Sequence, residues 1–372
     1  MSSANIGEGD FNIASGKENK NVPQKKVDIL PSVNGGASTY GQVAARAATT
    51  AHIPTLKDGD VQAQSLVKQH RRSKVMTPKK LYEQISSGFG QGHGSEYQPW
   101  LKIRRKNSSP NSNQVVSWMP PLGRTAHYFS RGEYHTALLL LWLDVQDLRE
   151  QFPLWPISHP HPLVGASGAE KLNLQWSRGL LEIADEAGIE HGVEVGTKIP
   201  YVATMDLMAT VRLSNGLRLF GFSSKPISNA DKNMKQRTLE RLEMERRYMA
   251  NLGEGYFVTN SALVPTTMAG QLECWLDCST LHCAPELIPL ANEFAQFLNA
   301  HDDLSIAEAV AGASDLLAIT LDSAWLLFRF CAWNLKIDID PTARVITSHP
   351  MNPGGLALRK TLREKLFGED WS

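Results

Sequence analysis

The chain has 372 residues, 42% hydrophobic and 20% charged, which is room for two ordinary domains and a tail and excludes a wholly disordered or collagen-like polymer. Lys+Arg and Asp+Glu both number 38, so bulk charge does not announce nucleic acid, and any DNA binding rests on local patches. Four cysteines make no disulfide framework, no apolar run approaches ~18 residues, and the opening MSSANIGEGDFN lacks a basic-then-apolar layout; a cytoplasmic protein with no membrane span is expected.

Residues 1–76 hold no Trp or Cys, one Phe and one Tyr, with ten Lys/Arg against six Asp/Glu, and are predicted to be a disordered N-terminal extension. The basic stretch that closes them, Lys68 through Arg71, Arg72, Lys74, Lys79 and Lys80, suits a solvated tail or a phosphate-contacting arm. Thr77-Pro78 opens a predicted helix through KKLYEQISSG, and the glycine-rich run Gly88 to Gly94 has no preceding strand and reads as a loop. A helix with a continuous apolar middle, Ala137 to Leu143, is expected over 131–147. An insertion at 158–200 carries one short helix near 175–187. Two strands follow, 203–213 and 217–225, then a charged helix over 232–250 and a short strand at 256–259. After Pro265 the chain reads as a mainly helical module. It holds helices near 304–312 and 320–334, and strand-like segments at KIDID (336–340) and ARVIT (343–347).

The two central strands are joined at Asn215-Gly216, the strongest short-range hairpin signal because both residues tolerate positive φ. A turn on those two residues sets Asp206 across from Lys225, with Ser223 on the same side. Their neighbours are apolar, so an acid and an ammonium side by side are either a cross-strand ion pair at a sheet end or a functional pair. Asp followed by a lysine on the adjacent strand is the arrangement of metal-dependent nucleases. A hard cation takes carboxylate, carbonyl and water oxygens, and an ammonium beside it steadies the nucleophile or the developing oxyanion. Such a site needs a further acid on a preceding helix. Glu133, in Ser130-Arg-Gly-Glu133, supplies one, although Ser-x-x-Glu is also a capping box. Glu245 shares a helix face with Leu242 and Met249 and should point inward, toward either a metal site or an arginine.

GQGHGSEYQPWL (from Gly90), DLREQFPLWP (147–156), the TMDLMATV…FGFSSKP hairpin and RTLERLEMERRYM (237–249) together resemble the TnsA family, the endonuclease subunits of heteromeric cut-and-paste transposases, in order from about 77 to 262. The resemblance implies an α/β, restriction-endonuclease-like (PD-(D/E)xK-type) catalytic domain over 77–262. It also implies a mainly helical, winged-helix-like interaction domain over 263–372. The implied activity is Mg2+-dependent hydrolysis of the non-transferred strand at the 5′ ends of the transposon, with Mn2+ able to substitute. The implied partners are transposon-end DNA, a TnsB-like transposase and a TnsC-like AAA+ ATPase, and the implied location is cytoplasmic and nucleoid-associated. Glu133, Asp206, Lys225 and Glu245 match the family's catalytic positions, with Glu133, Asp206 and Ser223 at the metal. Where such sites often carry Gln or Glu two residues before the lysine, this chain has Ser223, which serves if the metal takes its main-chain carbonyl. A non-catalytic assembly factor bridging DNA, transposase and ATPase is the alternative reading.

Other groupings carry less. Cys274, Cys278 and Cys283 with His282 fit no standard zinc-knuckle spacing, and His159, His161 and His191 read as polar-loop residues. Helix 320–334 is apolar nearly all round, with Arg329 as its only cation, so it packs or docks and does not read a DNA groove. In LALRKTLREKLF, Leu358, Leu362 and Phe367 make a stripe that suits a partner-binding peptide or a helix packed on its own domain.

Overall fold

Helix α1 (Pro78–Ser86) begins where the sequence predicts, with Thr77 as N-cap accepting from Lys80 N at 3.3 Å and Pro at the first position. The structure, a computed structural model, describes residues 75–104, 113–225, 234–260 and 263–368. The extension before residue 75, including its basic stretch as far as Lys74, lies outside the described residues.

A two-stranded hairpin, β1 (Val115–Met119) and β2 (Arg124–Tyr128), comes next and had no counterpart among the predicted elements. Helix α2 (Arg131–Trp142) follows directly, and every residue from Ala137 to Leu143 is buried. It stops short of the predicted end because Asp144 turns the chain with a φ of 61°, and strand β3 (Asp147–Leu154) takes over. Helix α3 (Leu180–Ala187) starts later than expected, after an extended N-cap Gly179 that lies against Ile157, where a Cβ would come within 2.4 Å of its Cα.

The main sheet has the order β3-β4-β5-β6, where β4 is Ala203–Leu213, β5 is Gly216–Ser224 and β6 is Gly255–Thr259. β3, β4 and β5 are antiparallel neighbours, and β6 runs parallel to β5 after helix α4 (Gln236–Leu252). Leu213 pairs with Gly216 and Leu207 with Phe222, which moves the expected register. Asn215 does not take a positive φ but Gly216 does, at 118°, so the turn lies on Ser214 and Asn215. Continuing that register, Asp206 faces Ser223 and not Lys225, which lies just past the strand. The expected placement of the Ser223 side chain beside Asp206 is also corrected: its hydroxyl goes to Glu245, while Asp206 Oδ2 meets Ser224 N and Lys225 Nζ.

Two apolar layers sandwich this sheet. One holds α2 with Leu148, Leu207, Ala209, Val211, Phe220 and Phe222. The other holds Met244, Tyr248 and Met249 of α4 with Phe152, Leu154, Ala203, Met205, Leu217 and Leu219. β5 alternates between the layers regularly; β3 and β4 do not. Leu148 and Leu207 belong to the α2 layer, but Phe152 and Met205, an even number of residues away, belong to the α4 layer. Both strands therefore change face on one rung, that of Gln151 and Asp206, where ladder pairing is interrupted and Gln151 has a φ of 47°.

The residues after Pro265 are helical: α5 (Thr266–Leu276), α6 (Ala291–Ala300), α7 (Ile306–Leu316), α8 (Leu321–Trp333) and α9 (Gly355–Phe367). They share one apolar core with α2 and the adjoining sheet face. α7 and α8 meet at 115°, and α8 buries Ala324, Leu327, Phe328 and Phe330–Trp333, which accounts for its all-round apolarity. The expected strands at 336–340 and 343–347 are corrected: no strand follows Thr259 among the described residues. Ile337 and Ile339 bury in the core, while Asp340 Oδ1 accepts from Thr342 N and Asp338 Oδ1 from Leu356 N, so the acids organise turns. The stripe on α9 also has an occupant. Leu366 and Phe367 are buried, Leu358 and Leu362 pack on the same core, the Phe367 ring lies 4.9 Å from Phe220, and Arg363 donates to Leu143 O at 2.6 Å. Among the described residues no single helix is long and apolar enough to cross a membrane.

Candidate active site

Three of the predicted site residues converge where α2 and β4 begin and β5 ends. Glu133 stands in the first turn of α2 behind the N-cap Ser130, whose hydroxyl accepts from Glu133 N at 3.2 Å. The same hydroxyl donates to Glu133 Oε1 at 3.0 Å, and Phe129 N donates to Oε2 at 2.9 Å. The capping function and an available inward carboxylate thus coexist in one residue. Gly132 permits the close approach of helix to sheet: a Cβ there would lie 2.6 Å from Ser224 Oγ.

Asp206 is buried on the interrupted rung, and its Oδ2 accepts from Ser224 N at 2.8 Å and Lys225 Nζ at 3.4 Å. Lys225 is anchored by its own N–H on Thr259 O at 2.8 Å, and its Nζ also donates to Ser224 O at 3.1 Å. Burial, with the nearby negative charge of Asp206, raises the Glu133 carboxyl to about 7, against the Phe129 and Ser130 hydrogen bonds and the Lys225 ammonium.

Glu245 is buried on the α4 side of β5. Its carboxylate accepts from Arg241 Nε at 3.0 Å, Tyr256 OH at 2.9 Å and the Ser223 hydroxyl. Burial pushes its pKa up, opposed by Arg241 and the Ser223 hydrogen bond. Both of the partners considered for it are therefore present at once, an arginine and a residue next to the site. Ser223, fully buried, gives its side chain to Glu245, which leaves only its main chain for the Asp206 side.

Sequence reasoning missed Gln151 and Thr204. Gln151 Nε2 donates to Glu133 Oε2 at 3.1 Å, and Thr204 Oγ1 donates to Gln151 Oε1 at 3.0 Å. The other groupings do not assemble. Cys278 and Cys331 are buried while Cys274 and Cys283 are exposed, and His159 is buried, stacked on Tyr248 with Nε2 2.9 Å from its hydroxyl. Among the described residues no three His, Cys, Asp or Glu side chains are grouped to hold a metal ion. Glu133 and Asp206 still fit a hard dication, because Mg2+ is commonly bound by one or two carboxylates and completes its shell with water and substrate phosphate.

The molecule is thus a mixed α/β protein whose sheet end carries two buried carboxylates and one ammonium. No family model matches the chain. It is similar to the transposon Tn7 transposition protein TnsA of Escherichia coli, 28% identical over 227 residues, which is 61% of this chain and 72% of that protein. The chain is TnsA-like over that span.

Proposed function

We propose that this chain is the Mg2+-dependent DNA endonuclease subunit of a transposase, with a restriction-endonuclease-like catalytic core. It would hydrolyse the non-transferred strand at the 5′ ends of the transposon so that excision is cut-and-paste. The observation that carries this reading is the meeting of Glu133, Asp206 and Lys225 at one sheet end, together with the similarity to TnsA. Glu133, Asp206 and the main-chain carbonyl of Ser223 would hold the cation. When bound, it supplies neutralising charge on the scissile phosphate and lowers the pKa of a coordinated water. Lys225 Nζ, held beside Asp206, would hydrogen-bond the attacking water and the oxygen that gains charge. Glu245 would act from behind β5, its carboxylate, held also by Arg241 and Tyr256, fixing Ser223 and so the strand that leads into Lys225.

The partners in this reading are transposon-end DNA, a TnsB-like transposase and a TnsC-like AAA+ ATPase. The residues from 263 on, with helices α7 and α8 in the place of a winged-helix-like pair, would be the interaction domain. An α8 buried along most of its length suits contact between proteins better than reading bases.

Lys225→Ala tests the reading. In a reconstituted assembly it should keep its fold and its partners, abolish 5′-strand cleavage and leave 3′ joining, so that cointegrate-type products replace simple insertions. Simple insertions at the wild-type level would return the chain to the assembly-factor reading.

A further inference from the structure

Three groups donate to the Glu133 carboxylate, and two of them, Phe129 N and Ser130 Oγ, belong to the start of the same helix. They hold the side chain against α2 but do not fix it relative to Asp206. The third, Gln151 Nε2, comes from β3, on the rung it shares with Asp206. The amide has one workable orientation. A carboxylate only accepts, so Nε2 must face Glu133, and Oε1 is then turned to the Thr204 hydroxyl at 3.0 Å. Gln151 and Thr204 are 3% and 1% exposed, so water cannot readily replace either contact. The backbone meets a cost to put Gln151 there, since a non-glycine residue at a φ of 47° is disfavoured by roughly 1–3 kcal/mol. β5 offers no amide in its stead, because Ser223 gives its hydroxyl to Glu245.

We propose that Gln151 is a positioning residue for the cation site: it ties the Glu133 carboxylate to the strand pair that carries Asp206, through an amide held on its other side by the Thr204 hydroxyl. The proposal rests on the reading of Glu133 and Asp206 as a divalent-cation site. Partners that orient metal ligands typically contribute about 10–100-fold to metal affinity.

The test is Mn2+ titration of the full chain, followed by the loss of the free Mn2+ paramagnetic resonance signal. Gln151→Gly suits it, because glycine accepts the positive φ and the amide goes with the rest of the side chain while the backbone is left unstrained. About tenfold or greater weakening of Mn2+ binding, with a cooperative unfolding transition retained, is expected. Thr204→Val should weaken binding, and Thr204→Ser, which restores a hydroxyl, should recover it. That recovery separates orientation from packing, and it decides the matter should Gln151→Gly fail to fold. Mn2+ bound as tightly by Gln151→Gly, or equally by Thr204→Val and Thr204→Ser, would overturn the proposal alone, provided Asp206→Ala has lost binding. A wild-type chain that binds no Mn2+ would overturn it together with the reading beneath it.

Discussion

A carboxyl that titrates near neutrality in the folded protein and near 4.5 when unfolded leaves a thermodynamic trace. Between those values the folded state of the metal-free protein holds a proton on Glu133 that the unfolded state has released. Stability therefore falls as pH rises through this window, because burying the charged form is the costly state. A rise from 4.5 to about 7 corresponds to about 3 kcal/mol, fully present as stability below 4.5 and lost above 7. Urea unfolding at pH 5 and pH 7.5, in chelator, measures it. Glu133→Gln, which keeps the Ser130 and Phe129 neighbourhood without a titrating group, should remove most of that difference while other groups contribute equally to both proteins. Adding Mn2+ at pH 7.5 should restore stability to the wild type and not to Glu133→Gln, since a ligand that binds only the folded state stabilises it. Identical pH dependence in the two proteins would refute the assignment of a desolvated, charge-crowded carboxyl to Glu133.

Asp206→Ala should abolish Mn2+ binding measured by calorimetry, since it removes a carboxylate and strands Ser224 N and Lys225 Nζ. Glu245→Gln takes the charge partner from the half-exposed Arg241 and places an amide among the Arg241, Tyr256 and Ser223 donors, and should cost about 1–3 kcal/mol in denaturant unfolding. Phe367→Ala, which removes a ring 4.9 Å from Phe220, should cost about 3–5 kcal/mol in the same assay.

What the sequence made legible follows from local chemistry. Thr77-Pro78, the apolar run Ala137–Leu143 and the charged helix that begins near Gln236 are each written in contiguous residues, and each appears close to its predicted span. β3 was not legible, because Arg149, Glu150 and Gln151 interrupt any apolar pattern although the whole strand is buried. Their partners are distant in sequence: Arg124 clasps Glu150 at 2.8 and 2.7 Å, and Pro162 O accepts from Arg149. The hairpin register went astray over which of two neighbouring residues takes the positive φ, a choice the dipeptide leaves open. Glu133, Asp206 and Lys225, which the structure brings together, each carry a sequence cue. Gln151 has none, since its place depends on an inversion of alternation shared by two strands, and counting residues along either strand alone puts side chains on the wrong layer.

Helix α2 carries Glu133 in its first turn, and the carbonyl just past its last turn, Leu143 O, is held by Arg363 of α9. The two ends are roughly 18 Å apart along a rod of 12 residues. Cutting the chain ahead of α9 would free the far end of a lever whose near end carries the Glu133 carboxylate. Trimmed versions made to map partner binding would then report a loosened site as well as a lost contact. Charge-neutral changes on the outward side of α9, at Lys360 or Glu364, leave that clasp in place and are the cleaner tools.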